Sequence, residues 1–253
     1  MKETNFPKLL KIMTELRVGC PWDRKQTIHT LSHLTVEETY ELTDAILEED
    51  YEGIKGELGD LLLHIVFYAK IASEKKKFDI EEVIEGICKK LIDRHPHIYG
   101  DVKVKNEEEV KQNWEKLKLK EGKKSVLEGV PKGLPALIKA QRIQDKVAGV
   151  GFDWEKPEQV FEKVKEEIDE FEVESEFQNQ EKMEAEFGDI MFALINYARH
   201  KNINPERALE LTNKKFIKRF QYLEKETSKQ NLNLQDMSLE EMDKYWEEAK
   251  KFN

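Results

Sequence analysis

The chain has 253 residues, room for one large domain or two of about 100–150 residues each. It carries 42 Lys and Arg against 52 Asp and Glu, a net charge of −10, so no broad cationic face is available to neutralise a nucleic-acid backbone. An apolar share of 39 % excludes global disorder, and only 12 Gly and 7 Pro favour long helices over a turn-rich β fold.

The first residues, MKETNFPKLLKIMTELR, scatter charge through the segment and lack the apolar centre of a signal peptide. Cys20 and Cys88 are the two cysteines and no Cys-x-x-Cys is present. That excludes a disulfide framework and a zinc ribbon, and a soluble cytoplasmic chain with reduced thiols is expected. Residues 57–72 are apolar almost all round, as in a helix enclosed by a bundle. Their longest apolar run, Leu61 to Ala72, contains His64 and Lys70 and is too short to span a bilayer. Asp79 before Ile80-Glu81-Glu82 predicts an N-cap, and Gly100 predicts a helix end near Tyr99. Residues 121–133 hold three Gly and one Pro and predict a linker. Beyond it, Phe161, Val164, Ile168 and Phe171 recur at helical spacing, residues 186–198 form a second all-round apolar helix, and Asn204-Pro205-Glu206 predicts another helix start.

The chain repeats itself. ELGDLLLHIVFYAK (57–70) returns as EFGDIMFALINYAR (186–199), 129 residues later. VEETYEL (36–42) matches KEEIDEF (165–171), KLIDR (90–94) matches KFIKR (215–219), and EEVKQNWEKLK (108–118) matches EEMDKYWEEAK (240–250). Blocks recurring in one order indicate duplication. The organisation read from this is a helical unit over 1–120, a linker over 121–133 and a second helical unit over 134–253.

Four Glu-Glu-x-x-Glu patterns occur in a chain with 39 Glu, and most such runs are solvated helix faces. Two differ from the rest. Glu37/Glu38/Glu41 and Glu166/Glu167/Glu170 are each followed, twenty residues after the first Glu, by Glu-x-Gly-Asp, giving Glu57/Asp60 and Glu186/Asp189. Residues three apart share a helix face, and these lie on helices with no other polar face. Partly buried carboxylates converging from two helices repel one another unless compensated. A hard divalent cation, Mg²⁺ or Mn²⁺, compensates them with all-oxygen ligation; Lys or Arg pairing is the alternative. Gly59 and Gly188 sit mid-helix beside these acids, which predicts close helix approach.

Each unit also places a Lys and an Arg four apart, Lys90/Arg94 and Lys215/Arg219, a spacing that can clamp a phosphate. Trp22 and Trp154 lie near the unit starts, Trp114 and Trp246 near the ends; core packing and base stacking are both open to them.

GCPWDRKQT (19–27), VEETYEL, ELGDLLLHIVFYA and RHPHIYGD (94–101) together resemble the MazG family of nucleoside triphosphate pyrophosphohydrolases, over nearly the whole chain. The resemblance implies an all-α fold of two tandem MazG-like helical-bundle domains that pair in a homodimer. It implies Mg²⁺-dependent hydrolysis of nucleoside triphosphates to monophosphate and pyrophosphate with broad base tolerance. It further implies Glu166, Glu167, Glu170, Glu186 and Asp189 as catalytic metal ligands of the second unit, Lys182, Lys215 and Arg219 on phosphates, and Trp246 beside the nucleotide. The matching first-unit positions are Glu37, Glu38, Glu41, Glu57, Asp60, Lys90, Arg94 and Trp114. Gly53 stands where the second unit has Lys182, which favours the second unit for turnover. dUTP- or phosphoribosyl-ATP-specific relatives and a non-catalytic helical adaptor are the rival readings. A di-iron bundle is set aside because no His has Glu three residues before it.

Overall fold

The computed structural model describes residues 5–106, 109–110 and 125–252, and among them every regular element is a helix. Compact packing divides the chain at Lys103/Val104. Of the linker expected over 121–133, residues 121–124 lie outside the described residues, and 125–133 are turns. These turns are tied to the second unit, because the buried Lys146 Nζ donates to the carbonyls of Val126 and Glu128 at 3.0 and 3.4 Å.

The first unit contains α1 (Phe6–Gly19), α2 (Pro21–Lys25), α3 (Ile28–Leu47), α4 (Tyr51–Glu74), α5 (Ile80–Arg94) and α6 (Pro96–Tyr99). Pro21 opens α2 at a position where a missing N–H costs nothing, which is what the Cys-Pro-Trp-Asp string does locally. Thr27 caps α3, and Asp50 caps α4 by accepting from Glu52 N and Gly53 N at 3.1 Å each. Asp79 caps α5 in a reciprocal box with Glu82. Met13, Leu31, Val66, Phe67 and Ile71 form the core between α1, α3 and α4.

The second unit contains α7 (Ala136–Ala148), α8 (Pro157–Glu176), α9 (Gln180–His200), α10 (Pro205–Lys229) and α11 (Leu239–Ala249). Asn204 caps α10 ahead of Pro205. Val160, Val164, Ala193, Ile195, Leu223 and Ala249 are buried. The α3–α4 and α8–α9 hairpins turn alike: Glu49 and Gln178, 129 residues apart, both take left-handed backbone, φ 55° and 51°.

Two expectations change. The apolar helices are not enclosed by their own unit. Leu58, Leu62 and Ile65 on α4 are 40–53 % exposed, and Phe187, Met191 and Leu194 on α9 are 43–53 % exposed. These are the same three positions of the repeat, at the i, i+4, i+7 spacing of one helix face. Nor, among the described residues, do Gly59 and Gly188 mark a close approach, since beyond the backbone of their own helix no atom lies within 4 Å of where a Cβ would sit.

Candidate active site

The hairpins bring acids from adjacent helices together. Glu38 and Glu41 of α3 meet Glu57 of α4; Glu167 of α8 meets Glu186 and Asp189 of α9. In each triad one oxygen per residue lies within 4.8 Å of the others. Oxygens on opposite sides of a Mg²⁺ ion stand about 4.2 Å apart. Neighbouring oxygens on one such ion stand about 3 Å apart, so the carboxylates of either triad would draw together around a cation, and the all-oxygen donor set fits a hard one.

The remaining acids sit around these triads. Asp60, Glu41 and Glu57 all press on Glu38; loss of solvent comes first, and together they hold its carboxyl above the usual range. Glu170 is likewise raised, by partial loss of solvent and by Glu167 and Glu186. So Asp60 and Glu170 are neighbours of the triads rather than members. Glu37 and Glu166 belong to neither triad, being one residue, about 100° of helix, away from Glu38 and Glu167.

Sequence reasoning missed Lys163. Its Nζ lies 2.8 Å from both Glu166 Oε1 and Glu167 Oε1, and these two carboxylates raise its pKa. The lysine-pairing alternative thus operates at one carboxylate of the second triad. Among the described residues no Lys or Arg pairs with Glu38, Glu41 or Glu57. Lys163 precedes Glu167 by one turn, a readable i,i+4 pair. It escaped because the repeat does not contain it: the first unit has Leu34 at that place.

A cavity of about 540 Å³ opens beside the second triad. Glu167, Asp189 and Lys163 line one part of it; Gln144, Phe152, Trp154, Phe192 and Asn196 line the rest. Trp154 is therefore a cavity wall rather than core. Asp153, also on the wall, is held by Arg199 and by His200 Nε2 at 2.9 Å, and these bonds outweigh its burial and lower its pKa.

The phosphate candidates are placed as follows. Lys182, in the first turn of α9, pairs with Glu174 at 2.9 Å and feels Glu186. Lys215 is exposed on α10. The Arg219 guanidinium lies 5.8 Å over the Trp246 ring, and among the described residues its buried Nε has no hydrogen-bond partner. In the first unit Lys90 is exposed and Arg94 half-buried on α5; Trp114 lies outside the described residues. Gly53 has a local reason: a Cβ there would stand 2.7 Å from the Asp50 Oδ2 of the α4 cap.

The model of the MazG nucleotide pyrophosphohydrolase domain matches this chain twice, over residues 26–99 and 155–223. The chain belongs to the MazG family. It is 43 % identical over 253 residues to a nucleoside triphosphate pyrophosphohydrolase of Escherichia coli K12, covering 96 % of each chain. It is also 43 % identical over 257 residues to a nucleoside triphosphate pyrophosphohydrolase/pyrophosphatase MazG of Thermotoga maritima, covering 99 % and 98 %. A protein of Bacillus subtilis, YabN, is 48 % identical over 251 residues, 97 % of this chain and 51 % of that protein. Each MazG match contains one acid triad, whereas Gln144, Phe152, Trp154 and Trp246 fall outside both matches.

Proposed function

We propose that the protein is a Mg²⁺-dependent nucleoside triphosphate pyrophosphohydrolase of broad base tolerance, acting as a homodimer in cytoplasmic nucleotide-pool housekeeping. The observation that carries this reading is the pair of carboxylate triads on equivalent helical hairpins of a MazG chain. The two free cysteines accord with a reducing compartment. Among the described residues no helix is long and apolar enough to cross a membrane. The exposed apolar stripes on α4 and α9 accord with a second copy of the chain.

Glu167, Glu186 and Asp189 would hold the cation in the second unit; Glu38, Glu41 and Glu57 in the first. Mn²⁺ suits the same oxygens. When bound, the cation neutralises triphosphate charge and lowers the pKa of a water. Glu170, beside the triad, would take the proton of a water that attacks the α-phosphorus. The bond from the α-phosphorus to its bridging oxygen breaks, and pyrophosphate leaves with that oxygen. Lys163, Lys182, Lys215 and Arg219 offset the charge on the leaving phosphates. The second unit is favoured because it carries Lys163 and Lys182 where the first has Leu34 and Gly53.

The test is a panel of ribo- and deoxyribonucleoside triphosphates with Mg²⁺, separating pyrophosphate from orthophosphate. Pyrophosphate is the expected product; orthophosphate as first product would refute the chemistry. Glu167→Gln with Glu170→Gln should abolish most turnover, and unchanged turnover would remove the assignment to the second unit.

A further inference from the structure

The wall of the second unit's cavity holds a buried polar atom without a hydrogen-bond partner among the described residues. Gln144 is 3 % exposed, and among the described residues its Oε1 has no hydrogen-bond partner. The amide cannot turn to relieve this. Its Nε2 donates to Phe192 O at 2.8 Å, and a flip would set two oxygens against each other. Gln144 lines the cavity, and a small outward shift of its side chain would offer this buried acceptor to a ligand there. One helical turn after Phe192, about 6 Å along α9, comes Asn196. Arg199 Nε and Nη2 donate to Asn196 Oδ1 at 3.1 and 2.8 Å, which leaves Nδ2 as the group Asn196 has to offer. Phe152, Trp154 and Phe192 add flat apolar faces to the same wall, and Glu167 and Asp189 of the acid triad reach it too.

Resting on the pyrophosphohydrolase reading above, we infer that Gln144 Oε1 is a specificity determinant that requires a hydrogen-bond donor on the nucleobase. The base occupies the cavity against the aromatic faces and gives an N–H to Gln144, while Asn196 Nδ2 gives a hydrogen to the neighbouring acceptor. Adenine and cytosine present an amine beside a ring nitrogen. Guanine and uracil present a ring N–H beside a carbonyl oxygen. Each supplies one donor next to one acceptor, so the pair accepts all four. It discriminates against a base that has no N–H, because Gln144 Oε1 then stays buried and unpaired. Broad base tolerance thus acquires a definite boundary.

The experiment compares kcat/KM on the intact protein within two pairs of substrates. One pair is ATP and purine ribonucleoside triphosphate, which lacks the 6-amino group. The other is CTP and pyrimidin-2-one ribonucleoside triphosphate, which lacks the 4-amino group. About a tenfold preference or more for ATP and for CTP is expected, and Gln144→Met should bring both ratios close to one. Ratios near one in the unsubstituted protein, or ratios that survive in Gln144→Met, overturn the inference. Should Gln144→Met fail to fold, the two ratios in the unsubstituted protein still decide. Turnover of no triphosphate at all would sink the pyrophosphohydrolase reading itself; brisk turnover with ratios near one sinks only the role of Gln144.

Discussion

Lys163 Nζ stands 2.8 Å from Glu167 Oε1, and at the matching place in the first unit, 129 residues earlier, the chain has Leu34. One acid triad carries an internal cation and the other does not. The ammonium occupies electrostatically part of what a divalent ion would supply. The two units should therefore differ in their appetite for metal, although the repeat gives both the same carboxylates in sequence; the triads themselves differ, Glu41 completing the first and Asp189 the second.

Lys163→Met is expected to tighten Mg²⁺ binding in the second unit. Two unit charges about 4 Å apart interact by roughly 1–4 kcal/mol between bulk water and a protein surface, so the Mg²⁺ midpoint should fall about fivefold or more. The metal-free protein should lose about 1–3 kcal/mol, because Glu167 stays buried and loses its partner. Thermal melts over a Mg²⁺ titration, with Glu38→Gln/Glu41→Gln removing the first triad, would read both effects. An unmoved midpoint would mean that Lys163 does not compete with the cation.

Removing charge from the first triad should stabilise the metal-free protein. Glu38 is pushed above the usual carboxylate range by burial and by Asp60, Glu41 and Glu57, and no cation among the described residues offsets that repulsion. Glu38→Gln/Glu41→Gln is expected to raise the melting temperature without Mg²⁺ by a few degrees, about 2–4 °C per kcal/mol for a chain of this size. The Mg²⁺-induced rise should shrink at the same time, since binding to the native state is what stabilises it. A lower melting temperature without metal would contradict the unpaired-triad description.

The helices, the duplication and the acids were legible because they are periodic or repeated. Glu57 and Asp60 stood out only because Glu186 and Asp189 recur in the same apolar setting. That same filter hid Lys163, which has no counterpart at Leu34. Gln144 carries no sequence signal at all: its orphaned oxygen exists only once α7 packs on α9 and Phe192 O captures the amide nitrogen. The triads also select among the acids. Glu37 and Glu166 share the Glu-Glu-x-x-Glu string, but one residue of helix rotation takes them out of the cluster.

Acid should act on the first unit through Arg17. Its Nε and Nη2 donate to Glu74 at 3.0 and 2.6 Å, joining α1 to α4, and Nη1 donates to the carbonyls of Asp23 and Gln26. The bond to Arg17 holds the Glu74 carboxyl below its ordinary 4.5. A carboxylate depressed in the folded state contributes stability that is complete above its unfolded pKa and is lost as pH falls through the folded one. Glu74 is partly exposed, so the contribution is about 0.5–1 kcal/mol. Melting curves of the unsubstituted protein and Glu74→Gln should therefore differ at pH 7 and converge as pH drops below 4.5. Parallel curves would show that the Arg17 contact is not what titrates.

The exposed stripes bear on assembly. Leu58, Leu62 and Ile65 lie beside Glu57 and Asp60 on α4; Phe187, Met191 and Leu194 lie beside Glu186 and Asp189 on α9. A helix that is apolar on a face its own unit leaves open is completed by another chain more readily than by water. Covering the stripe would also withdraw solvent from the neighbouring carboxylates and strengthen their hold on a cation. Placing a carboxylate in such an interface costs several kcal/mol of desolvation without a partner, far more than truncation to Ala. Leu62→Glu together with Met191→Glu is therefore expected to shift the proposed homodimer to monomer in sedimentation, and to raise the Mg²⁺ concentration needed for half-maximal turnover. Leu62→Glu alone leaves the stripe on α9 intact and should weaken the dimer without abolishing it. A double variant with unchanged mass and unchanged Mg²⁺ dependence would separate these stripes from both assembly and the site.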